Sequence, residues 1–145
     1  MLRALVLMAL LGAPVSPEIS IERPPPLKTA KACTLWVGEA SGNDPSVRVE
    51  VLICPGVGNQ VVGRLQWSST LSGWNLRDLV GTITEDKRGL RLKDVQIREN
   101  RPAPGWIFCP ADIYEFHLED ADHLNGTYDS AACRDHAVLA LRRKP

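Results

Sequence analysis

The stretch GWIFCPADIYEFHLEDADHLNGTYDSAAC, Gly105–Cys133, decides the fold. Tyr114, Phe116 and Leu118 fall on one face, and Ile113, Glu115, His117 and Glu119 on the other. A period of two with one apolar face is a strand buried on one side. The acidic residues that follow turn the chain, and Asn125-Gly126-Thr127-Tyr128 brings it back. Asn-Gly is a tight-turn signal, and Asn-Gly-Thr is a glycosylation acceptor sequence if the chain travels a eukaryotic secretory route. Cys109 and Cys133 stand at the base of what reads as a long hairpin.

The same period recurs on the N-terminal side. Val47, Val49, Val51 and Ile53 alternate with Arg48, Glu50 and Leu52, and Val61, Gly63, Leu65 and Trp67 with Val62, Arg64 and Gln66. On the C-terminal side Ala137, Leu139 and Leu141 alternate with Val138, Ala140 and Arg142. Turn-forming clusters separate these runs at Ser41–Pro45, Pro55–Asn59, Ser68–Ser72 and Glu85–Gly89, and Glu99–Gly105 reads as a loop. Two runs slip in parity: Trp74 and Leu76 against Leu79, Gly81 and Ile83, then Leu90 and Leu92 against Val95 and Ile97. A slip implies a bulge or bend, so both strands are expected to bend, as a closing sheet requires. The competing element is a short helix near Leu76–Leu79. About eight short strands with short connections predict an all-β fold. The expected form is an antiparallel meander, closed or partly closed into a barrel.

The chain has 145 residues, which fits one β domain, and its boundaries read as 33–145. Residues 1–16 read as a signal peptide: Met1-Leu2-Arg3 is a positive start, Ala4–Leu11 is apolar, and small residues follow. Residues 17–32 read as a Pro-rich linker or arm, with Pro24-Pro25-Pro26 favouring an extended polyproline conformation. Such a segment is also a possible ligand for a proline-binding domain. The expected location is secreted or periplasmic, with no transmembrane segment in the mature chain. Four cysteines in a small exported chain read as two disulfides. Cys33–Cys54 and Cys109–Cys133 are preferred because each pair brackets a local hairpin-like segment.

With 17 basic and 17 acidic side chains the net charge is zero, so nucleic acid is not an expected partner. No phosphate loop, G-x-S-x-G elbow or closely spaced cysteine pair is present, so no cofactor, metal or catalytic residue is assigned. The cluster His117-Leu-Glu119-Asp-Ala-Asp-His123 could in principle bind a metal or serve a hydrolase, through His117, Glu119 or His123. Neither a calcium-loop nor a zinc spacing is visible there, and a charged, solvated hairpin tip accounts for it. His136 beside Asp135 reads as incidental, because adjacent strand residues face opposite ways.

The tryptophans carry more weight. Trp74 and Trp106 each follow a glycine at the start of a strand; Trp67 shares a face with Leu65, so it reads as core. Trp36 falls on the face opposite Leu35 and Val37, which puts it in the open or across a barrel mouth. Indole rings at a rim suit flat or amphipathic ligands. The candidate ligand-binding residues are therefore Trp36, Trp74, Trp106 and Tyr114.

The run Leu124-Asn-Gly-Thr-Tyr-Asp-Ser, then Cys133-Arg-Asp and Val138-Leu-Ala-Leu-Arg142, resembles the closing hairpin of small exported bacterial β-domains. Gly126–Ser130 is also similar to a strand of avidin-like barrels; no other part of that pattern is present, so no biotin site is implied. The resemblance covers the C-terminal part only and implies an architecture without an activity. The expected function is an exported, non-catalytic binding module for a small amphipathic ligand, a glycan or a protein surface. The alternative is a secreted inhibitor or envelope protein-interaction factor with a filled core.

Overall fold

The computed structural model describes residues 23–27, 32–42, 44 and 47–145. The stretch 1–16 read as a signal peptide lies outside the described residues. Eight strands follow in order: β1 (Thr34–Ser41), β2 (Val47–Pro55), β3 (Gln60–Ser69), β4 (Gly73–Ile83), β5 (Gly89–Pro102), β6 (Ile113–Leu118), β7 (His123–Ser130) and β8 (Asp135–Arg143). Each pairs antiparallel with its neighbour in sequence, and β8 returns to β1, so the meander closes into a barrel. Closure leaves no edge strand, although β5 beyond Asp94 pairs with β4 alone. Both disulfides form as the spacing suggested, Cys33–Cys54 and Cys109–Cys133. No helix among the described residues is long and apolar enough to cross a membrane.

The inward faces are the ones the period predicts in β2, β3, β6 and β8. Val47, Val49, Val51, Val61, Leu65, Tyr114, Phe116, Ala137, Leu139 and Leu141 form one buried cluster. Fully burying one such large apolar side chain contributes roughly 1.5–3 kcal/mol, so this cluster is the dominant favourable term. Trp67 packs against it, with its ring centroid 5.1 Å from that of Tyr128.

Three expectations change. Trp36 is neither open nor across a mouth: it is buried in the core, on the inward face of β1 with Gly38 and Ala40, and Leu35 points outward. Both faces of β1 are apolar, so alternation alone cannot orient it. The second correction concerns the two slips. Both extra residues lie on β5, where Leu76 pairs Glu99 but Arg77 pairs Ile97, and Asp78 pairs Gln96 but Leu79 pairs Asp94. The β3–β4 ladder runs unbroken, so β4 has no bulge. Its Trp74 and Leu76 simply face out, and the inward positions beside them are the polar Asn75 and Arg77. Third, β5 continues through Glu99–Pro102, which had read as a loop, and Asn125-Gly126-Thr127 lies within β7 rather than in a turn. Gly126 fits there because a Cβ would collide with the Phe116 ring and the Glu115 carbonyl on β6.

Gly73 opens β4 at a backbone φ of +91°, and a Cβ there would run into Arg101 O and Ala103 N. Gly73→Ala is therefore expected to destabilise the barrel by about 2 kcal/mol, from backbone strain and overpacking together. A urea unfolding midpoint unchanged from the parent protein would refute this.

Candidate functional site

The β1–β2, β3–β4, β5–β6 and β7–β8 connections share one end of the barrel. The longest described connection there, between β5 and β6, carries Ala103, Pro104, Gly105, Trp106, Ile107, Phe108 and Cys109 across the mouth. Its geometry is held at both ends. Ala103 N–H donates to Ser72 O at 2.9 Å, and Trp106 N–H to Ala103 O at 3.0 Å across a turn with Gly105 at φ +83°. At the far end Cys109 is bonded to Cys133 in the β7–β8 turn, where Cys133 N–H donates to Ser130 Oγ at 3.2 Å.

The strongest hold comes from inside the barrel. Arg77, only 3% exposed, sends Nη1 toward Asp94 Oδ2 at 2.7 Å, Cys109 O at 2.9 Å and Asp112 Oδ2. Its Nε donates to Asn75 Oδ1 at 2.7 Å. Asp94 in turn accepts the backbone N–H groups of Ala111 at 2.7 Å and Asp112 at 2.9 Å. One guanidinium and two carboxylates thus fasten the loop to the barrel wall through charge-assisted bonds, the stronger kind of hydrogen bond.

The charge balance of this knot is uneven. Burial raises the Asp112 pKa above its ordinary value, against the opposing effects of Ser130 and Arg77. Burial works to lower the Arg77 pKa, but Tyr114 once ionised at high pH and the Asp112 and Asp94 carboxylates outweigh it and the pKa rises. Burial also pushes the Tyr114 phenol well above its usual range, so it stays a neutral donor. Asn75 Nδ2, Asp112 Oδ1 and Tyr114 Oη have no hydrogen-bond partner among the described residues. Ser130 is close enough to influence Asp112 without completing a well-aligned bond.

Between the loop and the knot lies a pocket of about 60 Å³, bordered by Trp67, Arg77, Trp106, Tyr114 and Tyr128 among others. Small-molecule sites typically measure roughly 300–1,000 Å³. This space has room for a few water molecules only, and the barrel axis beyond it is filled by the core. The outer surface of the loop is different. Ile107 is 75% exposed, with Trp106 and Phe108 half-buried on either side of it.

The four tryptophan and tyrosine candidates do not converge. Trp106 and Tyr114 border the same small pocket, from its lid and its floor. Trp36 lies in the core, and Trp74 lies on the outer face of β4. The residues that sequence reasoning missed are Arg77, Asp94 and Asp112. Each looks like an ordinary surface charge in its own segment. The available signal was the broken apolar parity at Asn75 and Arg77, which had been read as a bulge.

The acidic tip and the histidines lie on open surface. His123 Nδ1 is 2.8 Å from Asp120 Oδ1, and His136 Nδ1 is 2.7 Å from Asp129 Oδ1 across the β7–β8 ladder; all four residues are substantially exposed. Among the described residues no group of three or more histidine, cysteine, aspartate or glutamate side chains is placed to hold a metal ion. Comparison of the chain with protein-family models, with curated proteins and with solved structures finds no match.

Proposed function

We propose that this protein is an exported, non-catalytic binding module that engages a protein surface through the loop between β5 and β6. The observation that carries this reading is Ile107: a large apolar side chain, 75% exposed, at the crest of a loop fixed by a disulfide and a buried ion cluster. A loop already held in shape loses little conformational entropy on binding, so its apolar crest can contribute to affinity. Trp106 and Phe108 beside it are the residue types that anchor protein interfaces. The filled core and the small pocket beneath the loop favour a macromolecular surface over an enclosed small ligand. Two disulfides, and the likeness of the C-terminal hairpin to exported bacterial β-domains, support a site of action outside the cytoplasm.

The test uses the full chain from its own host, with a photo-crosslinking residue at position 107. A stoichiometric protein adduct is expected, its yield should fall when excess parent protein is added as competitor, and the Ile107→Asp variant should be at least about tenfold weaker as that competitor. Ile107→Asp itself should change stability by less than about 0.5 kcal/mol, as exposed substitutions do. A small molecule retained at one per chain in native mass spectrometry, with no protein adduct, would overturn the proposal.

A further inference from the structure

Three of the outward-facing residues that are buried, Glu50, Gln66 and Trp74, form one patch. Glu50 on β2 pairs across the ladder with Gln66 on β3, and Trp74 on β4 pairs with Ser68, two residues further along β3. Their exposures are 4%, 5% and 8%. Part of their cover is the chain's own Arg23–Leu27 segment. Leu27 N–H donates to Glu50 Oε2 at 3.0 Å, and Gln66 Nε2 donates to Pro25 O at 3.1 Å. Arg48 holds Glu50 in place through Nε at 3.2 Å and Nη2 at 3.0 Å. Pro24, Pro26 and Trp74 border a common open groove of about 510 Å³ alongside the segment.

This is the chemistry by which extended proline-rich segments are recognised. Three successive prolines offer no backbone N–H, so the segment presents carbonyls and pyrrolidine rings until Leu27 supplies the first donor after them. Gln66 reads a carbonyl within the run, Glu50 reads the donor that ends it, and an indole lines the groove with the rings. A polyproline segment loses little entropy on docking because its backbone is already extended. Both hydrogen bonds go to main-chain atoms, so the groove selects proline content and spacing rather than this one sequence.

We propose that the outer face of β2–β4 is a recognition groove for an extended proline-rich peptide of another protein, with Arg23–Leu27 as its resident, displaceable occupant. The groove shares no lining residue with the pocket under the Ile107 loop, so it is tested independently of the reading above. A resident occupant lowers the apparent affinity for an incoming peptide by the fraction of time the groove is free.

The experiment titrates full-length protein with a synthetic peptide covering residues 20–29, followed by calorimetry and by tryptophan fluorescence. Leu27→Pro in the protein removes the N–H that Glu50 accepts and loosens the resident segment. A double variant, Pro24→Gly with Pro26→Gly, loosens it by a second route. The peptide should bind both variants at least about tenfold more tightly than the parent protein. Adding Gln66→Leu to either variant should reverse that gain, and Trp74→Phe should remove the fluorescence change. A peptide with its prolines replaced by glycine should bind at least about tenfold more weakly. Equal binding of the glycine peptide, no binding to either loosened variant, or exchange of the segment between two copies seen as a concentration-dependent dimer would each overturn the proposal.

Discussion

Arg77→Met is expected to destabilise the protein by about 3–5 kcal/mol, because it leaves two carboxylates buried without their cation. That loss is a large part of the roughly 5–15 kcal/mol that holds a typical domain together. The substitution keeps most of the side-chain volume, so the loss reports charge and hydrogen bonding rather than a cavity. Removing the guanidinium deprives Asp94 and Asp112 of their ion pairs and Asn75 and Cys109 O of their donor. The effect should depend on pH with a definite sign. The Asp112 pKa is raised in the folded protein, chiefly by burial, and Arg77 is one of the groups that opposes the rise. A carboxyl with a raised folded pKa binds its proton more tightly folded than unfolded, so its contribution grows more favourable as pH falls toward the unfolded value of 3.8. It is lost as pH rises through the folded value. Without Arg77 the rise in pKa should be greater. The gap between the variant and the parent in urea midpoint should therefore be widest at neutral pH and narrow toward pH 3.8. Adding Asp112→Asn to the variant should recover part of the loss at neutral pH by removing a buried negative charge. A gap that stays constant with pH, and no recovery in the double variant, would show that the cost arises from packing.

The Arg77 knot also explains where sequence reasoning stops. The alternating runs at Val47–Ile53 and Val61–Trp67 display their inward faces openly, because each carries apolar residues on one parity and mostly polar ones on the other; at Ala137–Leu141 the outward positions are Val138 and Ala140, and the larger Leu139 and Leu141 mark the inward face. From them the barrel and the pairing of the cysteines could be read. Trp36 could not be placed, because Leu35 and Val37 make the opposite face of β1 equally apolar. The inward turn of Arg77 was hidden for a stronger reason. A buried guanidinium is tolerable only with its acceptors in place, and these come from positions 17 and 35 residues away. No local pattern reports a match made by closure of the barrel. The same holds for Glu50 and Gln66, which look like solvated outward residues until the proline segment is laid over them. What the sequence showed was the alternation; what it concealed were the polar contacts between strands and segments far apart in the chain.

Replacing both members of the Cys109–Cys133 pair by serine is expected to cost about 3 kcal/mol, and the same change at Cys33 and Cys54 nearly as much. The loop-closure contribution barely separates them, because the bridged residues are 24 and 21 apart. Their positions in the barrel do separate them. Cys33 and Cys54 flank the Thr34–Ile53 pair at the end of the β1–β2 ladder, so that bridge reinforces strands already in register. Cys109 and Cys133 join two connections, between β5 and β6 and between β7 and β8, with no strand ladder of their own. Once that bridge is gone, the crest at Trp106–Phe108 depends on the Ala103–Ser72 bond at one end and on Arg77 and Asp94 at the other. Hydrogen exchange should then speed up by about tenfold or more for the amides of residues 106–110 that can exchange, while β3 and β4 keep their protection once matched for global stability. The Cys33 and Cys54 variant should leave the crest unchanged. Binding through Ile107 should weaken only in the first variant, because a loop that must be ordered at each encounter charges that entropy against affinity. Equal loop exchange in the two variants would mean that the ion knot alone fixes the crest. Arg77, rather than the disulfide, would then be the residue on which the binding surface rests.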